Sequence, residues 1–147
     1  MIGIKQVREG LSEYPEIEYK STDLDIVVPP KFGRGFEVKM TVHADGVVVF
    51  YDGWHQSFSD VEAALPCFLI GLSPLCKIKV TERGGTRYKW RMEYLDDDGK
   101  WVKTLPTSHI NFSILKQKSE YYLQNEIIGD RGKIEEIIGT ICHSSEE

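Results

Sequence analysis

Residues 36–51 read FEVKMTVHADGVVVFY, and this stretch decides the fold. Apolar and polar residues alternate on both sides of Asp45-Gly46, a dipeptide that favours a tight β-hairpin turn. With a two-residue turn there, Lys39 pairs with Asp52 on one face of the hairpin. The other face carries four apolar side chains, those of Met40, Val42, Val49 and Tyr51. The stretch therefore predicts an antiparallel hairpin with one buried face.

A second hairpin follows, because residues 76–94 repeat the alternation around Gly84-Gly85. Residues that face each other across two antiparallel strands share a face of the sheet, so Val80 must pair with another even-numbered apolar residue. A two-residue loop would pair Val80 with a lysine. A three-residue loop, Arg83 to Gly85, pairs it with Tyr88, so the sequence predicts a three-residue turn with a glycine bulge.

Helices are predicted beside these hairpins. Apolar residues recur at helical spacing in three segments, residues 4–13, 59–72 and 133–141. The second segment opens with Ser59 and Glu62 in the spacing of a capping box. Hairpins with helices beside them, without strand–helix alternation, predict an α+β fold with a single antiparallel sheet and helices on one of its faces. We expect residues 1–147 to form one domain, with residues 105–118 irregular and residues 142–147 frayed.

The composition is that of a globular protein without a membrane span. The chain has 147 residues, of which 41% are hydrophobic and 11% aromatic, enough for a packed core. Its longest apolar stretch, residues 67–72, is far shorter than the roughly 20 residues of a transmembrane helix. The first residues lack the basic and apolar segments of a secretory signal. Three cysteines without a CxxC pair indicate reduced thiols and a cytoplasmic location.

Charge is distributed unevenly along the chain, whose formal net charge is −5. Five cations occupy odd-numbered positions of the second hairpin: Lys77, Lys79, Arg87, Lys89 and Arg91. If the apolar side faces the core, these cations project together and form a partner-binding surface for an acidic protein or for phosphates. We rank an acidic protein ahead of nucleic acid, because the chain is acidic and no aromatic residues interleave with the cations to stack on bases. The alternative is a solvated face that prevents edge-to-edge aggregation.

A second candidate region lies between the first hairpin and the second helix. Four polar and aromatic residues crowd this junction: Tyr51, Asp52, Trp54 and His55. Such groups can line a pocket, and a histidine titrates near neutral pH, so Asp52 and His55 are the candidates for acid–base catalysis. The alternative interpretation is structural: Asp52 pairs with Lys39, and Trp54 seals the helix end against the sheet.

The sequence contains no recognisable motif for a cofactor or a metal. Its four histidines have no i, i+3 or i, i+4 spacing and do not cluster with cysteines. It has neither a glycine-rich phosphate loop nor a Gly-x-Ser-x-Gly nucleophile motif. Cys67 lies beside Phe68 on the apolar stripe of the second helix, which favours a core position over a nucleophile. We therefore expect no cofactor and no metal, and we favour a protein that is not an enzyme.

Three segments resemble a family of small uncharacterised bacterial proteins of unknown function: Gly53-Trp54-His55, the helix from Phe58 to Leu72, and KVTERGG with YKW between residues 79 and 90. The resemblance spans about residues 36–126 and implies a bacterial origin, but no activity that can be transferred. The whole sequence favours a non-enzymatic protein-interaction module of the immunity-protein or chaperone type. A small-molecule-binding protein or small enzyme that uses Asp52 and His55 is the alternative. Neither the partner's identity nor the oligomeric state follows from the sequence.

Overall fold

The computed structural model of the protein describes residues 2–109 and 116–144. Within these residues the helices are α1 (Ile4–Leu11), α2 (Val61–Ile70) and α3 (Arg131–Ser144). The strands are β1 (Lys20–Ser21), β2 (Asp25–Val28), β3 (Val38–His43), β4 (Gly46–Tyr51), β5 (Trp54–Phe58), β6 (Cys76–Arg83), β7 (Thr86–Leu95), β8 (Trp101–Lys103), β9 (Thr107–Ser108) and β10 (Lys118–Leu123). The three predicted helices and the α+β class are confirmed.

The described strands form two antiparallel sheets rather than the predicted single one. Sheet A contains β1 to β5 in chain order. Sheet B has the order β10-β6-β7-β8, with β9 also paired to β7. Along the chain, α2 lies between the strands of sheet A and those of sheet B, and it packs against β3, β4 and β5. The helix carries the chain away from the edge of sheet A, so β6 pairs with β7 and β10 and not with β5.

The first hairpin has the predicted faces but a different register. Its turn lies at Ala44-Asp45, so His43 faces Gly46 and Lys39 faces Phe50. The predicted Lys39–Asp52 pairing is therefore wrong by two residues. Because side chains alternate with a period of two, a two-residue shift leaves every side chain on its predicted face. The shared face of Met40, Val42, Val49 and Tyr51 is confirmed.

The second hairpin closes through two residues and not three. Gly84 and Gly85 form the turn with φ of 57° and 82°, a left-handed conformation that glycine adopts without strain. Val80 faces Trp90, so the predicted pairing with Tyr88 is wrong. Tyr88 is an extra residue of β7 and forms a β-bulge. Because of this extra residue, even-numbered residues pair with even-numbered ones in the part of the hairpin farther from the turn. The predicted bulge exists, but it lies outside the turn.

The N-terminus of α2 is capped one residue later than predicted. Asp60 precedes the helix, and its carboxylate accepts a hydrogen bond from the Ala63 amide at 2.8 Å. A carboxylate at this position satisfies a free amide and also complements the helix dipole, which Ser59 does less well. The capping role predicted for Ser59 therefore belongs to Asp60.

The C-terminal helix is longer than predicted. It continues through Ser144, so residues 142–144 are helical and not frayed. The fully buried Ile141 lies in its last turns and anchors them to the core. Residues 145–147, and residues 110–115 of the segment predicted to be irregular, lie outside the described residues.

One hydrophobic core joins both sheets to the helices. Its polar centre is Asn125, which follows β10 and is 2% exposed. The Asn125 Oδ1 accepts a hydrogen bond from the Phe36 amide at 3.0 Å. The Asn125 Nδ2 donates to the carbonyls of Phe36 and Gly71 at 3.0 and 2.9 Å. Asn125 thus ties the end of β10 to the segment before β3 and to the end of α2.

Candidate protein-binding face

The outer face of sheet B is strongly basic. Alternation along β6 and β7 buries Ile78, Val80 and Trp90, so the residues between them project outward. Strand pairing brings seven cations to this side, which we call the basic face: Lys77, Lys79, Arg83, Lys89, Arg91, Lys103 and Lys118. Its carboxylates are Glu93 and Glu120, so seven cations against two acids leave a formal charge of +5. Four of the five predicted cations lie on it: Lys77, Lys79, Lys89 and Arg91.

Arg87 lies on the opposite, inner side of sheet B. The extra residue Tyr88 puts Arg87 and Lys89 on different sides of β7, and Arg87 faces Glu82. Its Nη1 donates to Asp52 Oδ2 at 2.9 Å. The prediction that Arg87 projects with the other four cations is wrong, because one extra residue reverses the alternation of the strand.

One end of the basic face is aromatic. The Nζ of Lys77 lies 4.0 Å from the centre of the Trp101 ring and 4.6 Å from that of Tyr122. The two rings come from β8 and β10, and they are 38% and 44% exposed. Aromatic residues therefore do accompany the cations, contrary to the expectation from the second hairpin alone. Both rings contact the Lys77 ammonium, which holds them as a pair.

A buried carboxylate fixes the position of Tyr122. Glu93 is 2% exposed and accepts a hydrogen bond from the Tyr122 hydroxyl at 2.9 Å. Partial burial and this hydrogen bond raise the pKa of Tyr122, so it remains a neutral donor. In the strand register Glu93 faces both Lys77 and Lys103. The aromatic end is thus held by hydrogen bonding as well as by packing.

A second carboxylate lies among the cations at the edge strand. The Lys79 Nζ is 2.7 Å from Glu120 Oε2, and the Lys118 Nζ is 3.2 Å from Glu120 Oε1. Hydrogen bonds from Lys79 and Lys118 lower the pKa of Glu120, and the same contact raises the pKa of Lys79. All three side chains are partly exposed, so solvent weakens the pairs. The arrangement shows that this face accommodates a carboxylate between two ammonium groups.

A cleft of about 490 Å³ adjoins the aromatic end. It is lined by Phe32, Gly33, Arg34, Tyr122, Gln124 and Glu126. Phe32 is 63% exposed and lies in the loop between β2 and β3. The backbone amide of Gln124 donates to the Arg34 carbonyl at 2.8 Å and holds this loop against the end of β10. Because Tyr122 belongs to both, the cleft and the basic face form one continuous surface.

Asp52 forms a polar joint between the sheets. It lies in the turn between β4 and β5 with φ of 55°, which is uncommon for a residue other than glycine. Besides Arg87, it accepts a hydrogen bond from Trp90 Nε1 at 2.7 Å. Trp90 packs so closely on Gly53 that a Cβ there would lie 2.3 Å from its ring. The Asp52 carboxylate therefore binds Trp90 and Arg87 of sheet B instead of Lys39.

The other residues of the predicted pocket do not converge with Asp52. Tyr51 is fully buried, and its hydroxyl donates to the carbonyl of Cys67. Trp54 is buried and stacks on the Tyr51 ring, with centroids 4.8 Å apart. His55 is exposed on the outer face of sheet A, 5.8 Å from the Phe50 ring, and lines neither of the two large clefts. Burial raises the pKa of the Cys67 thiol to about 11, which leaves it uncharged near neutral pH.

A second large cleft has a volume of about 520 Å³ and shares no lining residue with the first. It lies beside the N-terminal ends of α1 and α2, and its polar lining includes His43, Asp23, Asp45 and Asp60. Three carboxylates in its wall repel an acidic partner. In the part of the chain that the structure describes, no three His, Cys, Asp or Glu side chains are grouped to hold a metal ion.

Strands β8 and β10 supply the residues that sequence reasoning missed. They are Lys103, Lys118, Glu120, Trp101 and Tyr122. Arg83, which the sequence predicts to lie in the turn, is the last residue of β6. The two adjacent tyrosines of residues 118–123, KSEYYL, were the available signal for one of these strands, because tyrosine is enriched in β-strands. The pairing of β10 with β6 joins segments far apart in sequence, and a pattern within one segment does not encode it.

Comparison of the chain with known proteins gives no match. No family model, curated protein or solved structure matches it. The resemblance to small bacterial proteins therefore stays a prediction. Among the described residues, none of the helices has the length and apolar character needed to cross a lipid bilayer.

Proposed function

We propose that the chain is a non-enzymatic protein-interaction module of the cytoplasm that binds an acidic protein through the basic face, as immunity proteins or chaperones bind their targets. One observation carries this proposal: among the described residues, four strands place seven cations on one face beside only two carboxylates. Such a face attracts acidic surfaces within about a Debye length, roughly 8 Å at physiological ionic strength, and orients them for docking. The odd number of cysteines and the absence of a CxxC pair in the sequence favour reduced thiols and therefore a reducing compartment.

The aromatic end gives this surface an apolar anchor. Binding energy at protein interfaces is concentrated in Trp, Tyr and Arg residues that lie next to pockets. Trp101 and Tyr122 are exposed beside the cations, and Phe32 and Arg34 line the adjoining cleft. The expected partner therefore carries clustered Asp or Glu residues next to one apolar side chain that enters the cleft.

The Asp52–His55 alternative loses its support. That hypothesis required a pocket containing both side chains with His55 partly buried, whereas His55 is exposed on sheet A. The Asp52 carboxylate is engaged by Trp90 and Arg87. We therefore do not propose an active site there.

The test compares reversed charges on the two sheets. The tagged protein is used to capture partners from a lysate of its source organism at about 0.05 and 0.5 M salt, which bracket strong and weak screening. The test variant is Lys79→Glu/Lys89→Glu/Arg91→Glu. The matched control is Lys20→Glu/Lys39→Glu, which reverses two cations on the outer face of sheet A. Mass spectrometry identifies the proteins retained, and Kd is then measured with the purified partner.

We expect one acidic protein to be retained at low salt and lost at high salt. The triple variant should weaken Kd by roughly 100-fold or more, if each reversed contact contributes about 1 kcal/mol. The control variant should retain the partner, and both variants should keep the wild-type circular dichroism. Equal retention by the triple variant would contradict the proposal. Nuclease-sensitive capture, with affinity for a single-stranded oligonucleotide falling steeply with salt, would instead indicate nucleic-acid binding.

A further inference from the structure

A small niche lies within the basic face. It is lined by Lys79, Thr81, Lys89, Arg91 and Glu120, and its volume is about 30 Å³. A site for one water molecule needs about 10–15 Å³ of such space, so the niche has room for about two or three oxygen atoms. Three cations against one carboxylate leave it with a formal charge of +2. Its size and charge fit a small oxyanion.

Arg91, which lines this niche, has one buried side-chain donor, its Nε, without a hydrogen-bond partner among residues 2–109 and 116–144. A buried donor without a partner costs free energy, and an arginine fork binds carboxylates in a bidentate manner. An oxyanion that reaches Nε would therefore satisfy this donor without breaking an existing bond there.

The neighbours of Arg91 complete the polar lining. Lys89 is in register with Thr81, and Lys79 is in register with Arg91 on the paired strand. Lys79 is bound to Glu120, which takes up one side of the niche. Lys89 forms no ion pair with a carboxylate in the described part of the chain. The Glu120 carboxylate thus already binds Lys79 in the lining of the niche. Lys89 and Arg91 remain to bind a second carboxylate.

We infer that the niche binds a single oxyanion through Arg91, Lys89 and Thr81, and that its occupant is a carboxylate of the acidic partner. This inference rests on the proposed function for the source of the carboxylate, but not for the existence of the site. Space for about two or three oxygens favours a planar carboxylate, with two oxygens, over a tetrahedral phosphate, with four. The niche is then the position at which the basic face reads one Asp or Glu of its partner.

The experiment titrates the ¹⁵N-labelled full chain with sodium acetate, with sodium chloride at matched ionic strength as the reference. The readouts are the Arg91 Nε–Hε resonance and the backbone amides of Thr81 and Lys89. We expect saturable shifts with acetate and only small linear shifts with chloride. A parallel titration with inorganic phosphate distinguishes the two oxyanions. Saturation by phosphate at tenfold lower concentration than by acetate would overturn the carboxylate assignment.

Arg91→Lys provides the decisive variant, because it keeps the charge but removes Nε and the planar fork. Arg83→Lys is the matched control on the same face. The saturable acetate shifts at Thr81 and Lys89 should disappear in Arg91→Lys and persist in Arg83→Lys. Unchanged shifts in Arg91→Lys, or none in the wild type, would overturn the inference.

Two further outcomes separate this inference from the proposed function. Acetate binding at Arg91 without capture of any acidic protein would leave the niche in place and contradict the proposed function. Capture of an acidic protein with equal Kd for wild type and Arg91→Lys would support the proposed function and contradict the niche as its reading position. We expect Arg91→Lys to weaken the purified partner's binding about tenfold.

Discussion

Sheets A and B are built alike from antiparallel hairpins, but their outer faces differ in charge. The register of sheet A turns two cations, Lys20 and Lys39, and one carboxylate, Asp25, toward solvent. Their neighbours on that face are Val27, Thr41, Val48, Phe50, His55 and Ser57. The basic face of sheet B carries seven cations and two carboxylates. The two sheets thus share a buried inner face but expose outer faces of different charge.

The difference bears on the interpretation that the cations only keep the sheet from aggregating. Sheet A has an exposed face of similar construction and manages with a formal charge of +1. A formal charge of +5 on sheet B, in a chain of net charge −5, therefore exceeds what solubility requires. Concentrated like charge costs electrostatic free energy, which makes a binding role the better explanation.

The sheets also differ in how they are held. The helices pack mainly on sheet A: α1 contacts β2, and α2 contacts β3, β4 and β5. Sheet B is tied to the rest by its share of the core and by the polar joints at Asn125 and Asp52. Changes at these joints should therefore loosen sheet B more than changes on the outer face of sheet A.

Loss of the Asn125 joint should have the largest effect. Asn125→Ala leaves three buried backbone groups of Phe36 and Gly71 without partners, at about 1 kcal/mol or more each. We expect the free energy of unfolding to fall by roughly 3 kcal/mol, measured by urea denaturation. Gln124→Ala, which removes a hydrogen bond to the Pro74 carbonyl, should cost about 1 kcal/mol. Equal losses in the two variants would contradict the central role of Asn125.

The Asp52 joint should be the next most sensitive. Asp52→Ala removes the acceptor of Trp90 and Arg87 and leaves a residue less tolerant of positive φ, for a loss of roughly 2 kcal/mol. Asp52→Asn keeps one acceptor oxygen and should lose about 1 kcal/mol or less. Lys39→Ala should change stability by less than about 0.5 kcal/mol, because Lys39 is not the partner of Asp52. A larger effect of Lys39→Ala than of Asp52→Asn would refute this assignment.

Lys77 should contribute less to stability than Asp52 does, but more than Lys39, its counterpart on sheet A. Lys77→Met keeps the apolar stem and removes the ammonium from Trp101 and Tyr122, at a cost of roughly 0.5–1 kcal/mol. Lys39→Met removes an ammonium that lies 5.9 Å from a single ring, that of Phe50, and should cost less. Thermal unfolding of the two variants measures the difference. A larger loss of thermal stability in Lys39→Met than in Lys77→Met would contradict this difference between the two faces.

The smallest effect concerns the acid titration of Glu120. NMR titration should place the pKa of its carboxyl below the ordinary value of 4.5, since Lys79 and Lys118 stabilise the charged form. Ionised Glu120 therefore stabilises the fold above about pH 4.5, and this contribution is lost as the pH falls through the folded-state pKa. Lys79→Ala should raise the pKa toward its ordinary value, whereas Lys39→Ala should not. An unmoved titration in Lys79→Ala would show that the pair is not formed in solution.

Local patterns were sufficient for the elements of the fold and for most of the basic face. Period-two alternation identified both long hairpins and placed four of the cations on a common side. The requirement that even-numbered residues pair with even-numbered ones also held, since Val80 faces Trp90. These features depend on side-chain spacing within one segment, which the sequence displays directly.

The division into two sheets and the composition of the basic face depended on contacts between distant segments. No local pattern pairs β10 with β6, so Tyr122 and Glu120 could not be placed beside Lys77 and Lys79. Arg87 was misplaced because two arrangements satisfy the same even-to-even rule, a three-residue turn or a two-residue turn with a later bulge. Two consecutive glycines at positive φ decide in favour of the second, and glycine alone makes that turn inexpensive.

The bulge has a consequence for changes in chain length. Tyr88 is skipped in the register with β6, although its hydroxyl accepts a hydrogen bond from Arg83. Its removal would leave Lys89 opposite Thr81 and Arg87 opposite Glu82, as they are now. Removal of a residue such as Arg91 would instead turn the apolar residues on one side of the gap toward solvent. Tyr88 is thus the one extra residue of β7, and its deletion conserves both the core and the charged surface. Among descendants of this sequence, a gap in β7 should be tolerated at position 88 before any other.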